Sequence, residues 1–293
     1  MSQVTGRPVE LVEITTYGDV SREHLAQIGG TGVFVAALRE ALARGEVDFA
    51  VHSLKDLPTT QPDELVVAAI PVREDPRDVI IARDALKLTD LPRGARIGTG
   101  SPRRMAQLNA YARTHGLDFE TVPIRGNVDT RIGYVTKGDL DAVVLAAAGL
   151  NRVGRSDEVT DFLSVDTVLP APGQGALAVE TTADNAELIA ALAQLDDPLT
   201  RAAVTAERSL LAALEAGCSA PVGALADLLV DGQIVKEMRL RGVVGSTDGS
   251  TLVQLSTTGP VPETHEAAMA LGRGLATEML AQGAAGLMGE RAL

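Results

Sequence analysis

The residues able to do chemistry fall in a few short, separated stretches. Cys218 is the only cysteine, in Glu215-Ala216-Gly217-Cys218-Ser219-Ala220-Pro221. A helix-like run, Thr200 to Leu214, ends just before it, with Gly217 and Pro221 suited to a helix stop. A thiol in such a small-residue loop can be a buried apolar group or a nucleophile and attachment point. Thr99-Gly100-Ser101-Pro102-Arg103-Arg104 is a glycine turn that opens a helix with proline at its first position. The free N–H groups there point at any anion, and Ser101, Arg103 and Arg104 add a cap, charge and bidentate donors. Arg125-Gly126-Asn127-Val128-Asp129-Thr130-Arg131 repeats the theme, with Asn127 as the cap. His52-Ser53-Leu54-Lys55-Asp56-Leu57-Pro58 follows a strand and pairs a cation, Lys55, with a carboxylate, Asp56. Alternation along an extended chain would turn Lys55 and Asp56 to opposite sides. Each motif also has a plainer reading, as a helix cap or a solvated turn.

The net charge of the 293 residues is −13, which argues against a general nucleic-acid binder. Aromatic residues are 2% and tryptophan is absent, so platforms for base stacking are scarce. Yet Arg96 to Arg131 holds six arginines against Asp118, Glu120 and Asp129. A basic island in an acidic chain suits a small ligand with several anionic groups. The four histidines, 24, 52, 115 and 265, lack ligand spacing, so no metal site is expected. Neither a signal-peptide pattern at the start nor an apolar run of membrane length is visible. A cytoplasmic enzyme or binding protein is the expected class.

These motifs need elements to hold them. Val9–Ile14 alternates like a strand, Val33–Ala43 has helical spacing, and Val47–Val51 and Leu65–Ile70 read as buried strands. After a proline-bounded break at Pro71–Asp78, a second unit alternates strands (Val79–Ala82, Ala95–Gly98, Phe119–Val122, Ala142–Ala146) with helices from Pro102 and Asn127. Such repetition implies a parallel or mixed sheet covered on both faces. A second break, Leu169–Gly175, precedes a strand at Ala176–Glu180 and a helix at Asn185–Gln194. Asp197 and Pro198 begin the next helix. Apolar runs near 222–230, 234–244 and 252–255, then a helix over 262–282, suggest a small α+β unit. Both arginine motifs and the His52 motif fall at carboxyl ends of strands, where ligands of α/β sheets bind.

Together the stretches His52–Pro58, Arg73–Asp78, Gly98–Arg104, Arg125–Arg131, Ala148–Arg152, Leu169–Ala176, Val204–Arg208 and Gly217-Cys218 make the chain similar to the porphobilinogen deaminase (hydroxymethylbilane synthase) family. The resemblance implies an α/β fold of three domains. The first two are like type-II periplasmic binding proteins, and the third is a small α+β domain. Their expected bounds are 1–73 plus 175–195, 76–170, and 198–293. It further implies a dipyrromethane cofactor held through Cys218 and a catalytic Asp56. Lys55, Ser101, Arg103, Arg104, Arg125 and Arg131 would bind the cofactor's acidic side chains, and Arg152, Thr99 and Asn127 the substrate. Four porphobilinogens would condense stepwise. Each loses ammonia to give an electrophilic azafulvene, and hydrolysis releases hydroxymethylbilane. No metal, nucleic acid or membrane is implied, and a monomer is expected.

Against the family pattern the chain starts after the usual first strand, so its N-terminus looks truncated. Thr31 and Tyr17 stand where many relatives have lysine and arginine. A non-catalytic sensor of a small anion on the same scaffold, or an inactive truncated paralogue, would keep part of this pattern.

Overall fold

The computed structural model describes residues 1–14, 35–216, 220–231 and 234–288. Three sheets organise them. The first has the order β1 (Phe49–Ser53), β8 (Leu177–Thr182), β2 (Leu65–Ala69), with both pairings antiparallel. Helix α2 (Ala36–Ala43) covers one face through Leu42 against Ala50 and Leu65, and α6 (Ala186–Leu192) the other through Leu192 against Ala69 and Val179. The predicted strand at Val9–Ile14 does not form: residues 8–14 have no regular structure, and Leu11 is 87% exposed. Alternation gives a strand only where a neighbour offers backbone partners, and these residues have none among the described ones.

The second sheet runs β5 (Phe119–Val122), β4 (Ala95–Gly98), β6 (Ala142–Ala146), β3 (Asp78–Ala82), β7 (Asp161–Phe162). β4 is parallel to β5 and β6, whereas β3 is antiparallel to β6 and β7. It is the mixed sheet that the βα alternation predicts. Both its faces are covered: in β3, Val79 and Ile81 enter one core cluster and Ile80 and Ala82 another, as alternating side chains must. α3 (Pro102–His115) and α4 (Val128–Thr136) begin at the caps read from sequence. Ser101 accepts from the Arg104 N–H at 3.4 Å and Asn127 from the Thr130 N–H at 2.9 Å.

The third sheet is the meander β9 (Val222–Asp231), β10 (Ile234–Gly245), β11 (Leu252–Pro260). α7 (Pro198–Ala213) and α8 (His265–Ala281) pack on it through Leu210, Leu275 and Met279 against Met238 and Leu240. α7 starts at Pro198, and its cap Asp197 accepts from the Thr200 N–H at 2.7 Å.

The chain crosses between the first two sheets twice, out through 70–77 and back through 163–176. The crossings touch: the Glu74 N–H donates to the Gly175 carbonyl at 3.2 Å. Gly175 has φ +88°, and a Cβ there would lie 2.5 Å from the Glu74 carbonyl oxygen, so only glycine fits. Two buried carboxylates lock the junction. Asp78, with no exposed surface, accepts from Arg103 at 2.8 Å, Arg104 at 2.7 Å and the Gln174 amide at 2.8 Å. Glu207 of α7 accepts from Arg73 at 2.6 and 3.0 Å, from the Gly173 N–H at 2.7 Å and from the Ala226 N–H at 2.9 Å.

Burial alone would raise the Asp78 pKa, but the charges and hydrogen bonds of Arg103 and Arg104 hold it well below the usual carboxylate range. A depressed native pKa contributes stability that is complete above the unfolded value of about 3.9 and fades as pH falls below it. Asp78→Asn strands two buried guanidinium groups, so urea unfolding at pH 7 should show a loss of about 3–5 kcal/mol. The gap between variant and wild type should narrow at pH 3; an equal gap at both values would contradict the assignment.

Candidate active site

Strand β1 ends at Ser53, and a single 3-10 turn, Leu54–Asp56, follows at once. The strand-like alternation expected through Asp56 therefore stops at Ser53. His52 turns away from the turn into the first unit, its Nε2 3.1 Å from Glu180 Oε2. Lys55 is partly buried and Asp56 exposed. The Lys55 ammonium lies 3.5 Å from Gln174 Oε1. Gln174 is fixed from behind, since its amide nitrogen donates to the Pro76 carbonyl and to Asp78, each at 2.8 Å.

Across from this turn stand the strand ends of the second sheet. Between them runs a cleft lined by Ser53, Lys55, Gly149, Arg152, Gln174 and Gly175 among others. Arg152, at the end of α5 (Ala147–Arg152), bridges it by donating to Ser53 Oγ at 3.4 Å and to the Gly175 carbonyl at 3.2 Å. The Thr99–Ser101 turn lies against the next strand's exit loop: a Cβ on Gly100 would fall 2.5 Å from the Ile124 carbonyl oxygen. That close approach sets Arg125 beside the start of α3.

Charge gathers here. Burial pushes the Lys55 pKa down; Asp56 opposes the shift and Arg104 adds to it. Burial, then Arg104 and Arg125, push Arg131 down to about 10, while Asp56 pulls the other way. Arg131 stays cationic at neutral pH. The Arg125 Nη2 and Arg104 Nε nitrogens are buried without a hydrogen-bond partner among the described residues. Like charges crowded together with buried donors unused are costly unless an anion joins them. Several carboxylates would satisfy this arrangement, and so the residues fit a dipyrromethane with its acidic side chains.

The structure divides the expected site residues. Asp56 and Arg104 act on both Lys55 and Arg131, Arg125 acts on Arg131, and Arg152 reaches the cleft that Lys55 lines. Arg103 is 4% exposed and donates to Asp78 and to the Leu169 carbonyl, so its guanidinium is a strut of the junction. Thr99 has no exposed surface, and its hydroxyl accepts from the Ser101 N–H at 3.2 Å; it shapes the turn from behind. Ser101 and Asn127 act as caps, as their plainer reading had it. Cys218, Thr31 and Tyr17 lie outside the described residues. Sequence reasoning gave no role to Asp78, Gln174, Glu207 or Arg208, although each sits in or beside a quoted stretch. Acidic residues next to hinge arginines were the available signal.

Residues 1–190 match the family model described as porphobilinogen deaminase, dipyromethane cofactor binding domain, and residues 201–281 match that of the porphobilinogen deaminase C-terminal domain. The chain belongs to the porphobilinogen deaminase family. It is 89% identical over 292 residues to porphobilinogen deaminase 1 of Streptomyces coelicolor, covering 100% of this chain and 92% of that protein. With the porphobilinogen deaminase of Thermobifida fusca it shares 58% over 284 residues, 96% of this chain and 86% of that one. Its activity is that of the family, a transferase reaction of tetrapyrrole biosynthesis in which porphobilinogen is polymerised to hydroxymethylbilane on a dipyrromethane cofactor. A solved structure of the Bordetella pertussis BvgS VFT2 domain overlaps 66% of this chain and 72% of its own at 21% identity with a TM-score of 0.37, and that overlap adds nothing to the assignment. No helix among the described residues is long and apolar enough to cross a membrane.

An unmatched buried cation destabilises a fold, and a ligand that pairs it stabilises by mass action. In deaminase lacking cofactor through Cys218→Ala, Arg125→Leu should therefore raise the thermal midpoint. Citrate should raise the midpoint of the parent and raise it less once Arg125 is gone; equal citrate shifts would place Arg125 outside the anion site.

Proposed function

We propose that Asp56 is the acid–base carboxylate of the deaminase and that Lys55, Arg104, Arg125 and Arg131 hold the acidic side chains of cofactor and growing chain. The supporting observation is the cationic cluster with an unpartnered Arg125 nitrogen, set around the turn that carries Asp56. When bound, the dipyrromethane supplies the carbon nucleophile that takes the first substrate unit. Asp56 is the one carboxylate among the groups acting on Arg131, so positive charge developing on a pyrrole nitrogen is best stabilised beside it. The same oxygens can take a proton from the ring that has just been joined and deliver one to departing ammonia. The guanidinium groups bind substrate carboxylates and orient each ring toward Asp56, which lowers the entropic part of the barrier. Arg152, at the open rim, is suited to the incoming porphobilinogen, and the free N–H groups at the starts of α3 and α4, framed by Ser101 and Asn127, extend the anion field.

Attachment of the cofactor through Cys218 agrees with its being the sole thiol. The working division of the chain is 1–73 with 175–195, then 76–170, then 198–293, acting as a cytoplasmic monomer without a nucleic-acid or membrane partner.

Intact mass tests the first part: the purified protein should exceed its sequence mass by two linked pyrroles, and Cys218→Ala should not. Asp56→Ala should keep the added mass yet lose turnover by about 10²–10⁴-fold, the range for a positioned proton-transfer group. A bare wild-type mass, or near-normal product formation by Asp56→Ala, would refute the corresponding role.

A further inference from the structure

The turn that carries Lys55 and Asp56 is short, and little of its own backbone bonding holds it: the Leu57 N–H closes it onto the Leu54 carbonyl at 3.2 Å and the Leu54 N–H reaches the Ala176 carbonyl at 3.0 Å. A distant side chain completes its support. Arg208 of α7 donates through Nη1 to the carbonyls of Leu54 at 3.1 Å and Leu57 at 2.7 Å, and through Nη2 to that of Pro58 at 2.6 Å. One planar guanidinium thus grips the backbone on both sides of Asp56. One turn earlier on the same helix, Val204 packs with Leu54 and Leu57. The adjacent Glu207 holds the Gly173 N–H at 2.7 Å, and the Gly173 backbone lies against Leu54, where an added Cβ would meet its side chain at 3.1 Å.

We infer that Arg208 is a positioning residue: it sets the height and orientation of Asp56 in the cleft from the helix that leads to Cys218. The inference rests on the acid–base reading of Asp56. Arg208 touches carbonyl oxygens of the turn and acts through Asp56. A lysine in its place offers a point charge on a flexible stem and cannot reproduce a fork to three carbonyls.

The test compares Arg208→Ala, Arg208→Lys and Asp56→Ala as cofactor-loaded enzymes, with loading confirmed by intact mass. Arg208→Ala should keep KM within about twofold and lose kcat by about 10²-fold, the effect of displacing a reacting group by about 1 Å. Guanidinium ion at millimolar concentration should restore part of the rate to Arg208→Ala and none to Asp56→Ala. Arg208→Lys should fall between wild type and Arg208→Ala. Full kcat in either Arg208 variant overturns the inference, as does a loss that follows a lowered thermal midpoint and is not relieved by guanidinium. Should Arg208→Ala fail to load, Arg208→Lys decides. An Asp56→Ala enzyme that keeps its rate removes the acid–base reading and this inference with it; an inactive Asp56→Ala beside a normal Arg208→Ala removes this inference alone.

Discussion

The architecture turns on one buried carboxylate. Asp78 is the first residue of β3, where the chain has just crossed from the first sheet to the second, and it is fully buried. A carboxylate in that position is costly unless each lone pair is met. Arg103 and Arg104 meet it from α3, and Gln174 from the returning crossover. The same contact therefore closes the second sheet on its helix and ties the two crossings to each other. It also sets the site. Gln174, oriented by Asp78, presents its carbonyl to Lys55, and Arg104, anchored through Nη2 to Asp78 and through Nη1 to the Val144 carbonyl, keeps its charge near Lys55 and Arg131.

Asp78 neutralises no more than it touches. Two arginines share one carboxylate, so the node itself remains cationic, and Lys55, Arg125 and Arg131 add to it with Asp56 as the nearby opposite charge. Low dielectric amplifies both sides of this balance. In the proposed site, a polyanion would relieve the repulsion among these cations. On the proposed roles, ring orientation would follow from where the guanidinium groups stand, and proton transfer from where Asp56 stands among them.

Much of this was legible in the chain. The caps at Ser101, Asn127 and Asp197 came out where local chemistry put them, because a short polar side chain and the residues after it suffice to specify a helix start. The strands of the second sheet were legible for the same local reason: each is an apolar run bounded by turn residues. Val9–Ile14 was misread since alternation says nothing of whether a partner strand is adjacent. Arg103 and Arg104 look alike in sequence and point at one ligand there. Both in fact brace Asp78, 25 residues away from Arg103, and they differ in that Arg104 keeps a buried nitrogen without a partner among the described residues. Periodicity carries no information about such pairings, so Asp78, Gln174 and Glu207 stayed hidden although the stretches around them were conspicuous.

The third unit then takes on a meaning beyond that of a handle for the cofactor. α7 buries Leu210 among the residues of its own sheet, and it also reaches the junction, with Arg73 on Glu207 and the Asp56 turn on Arg208. Helices are stiff over this length, so the consecutive residues Glu207 and Arg208 ride on one backbone although their side chains diverge by about 100°. Glu207 and Arg208 therefore cannot shift independently: movement of the helix carries the 173–175 turn and the 54–58 turn together. Cys218 follows the last described residue of the same stretch, Ala216, by two positions in sequence. On the proposed roles, the helix that seats the Asp56 turn through Arg208 is also the one that precedes the cofactor cysteine in sequence.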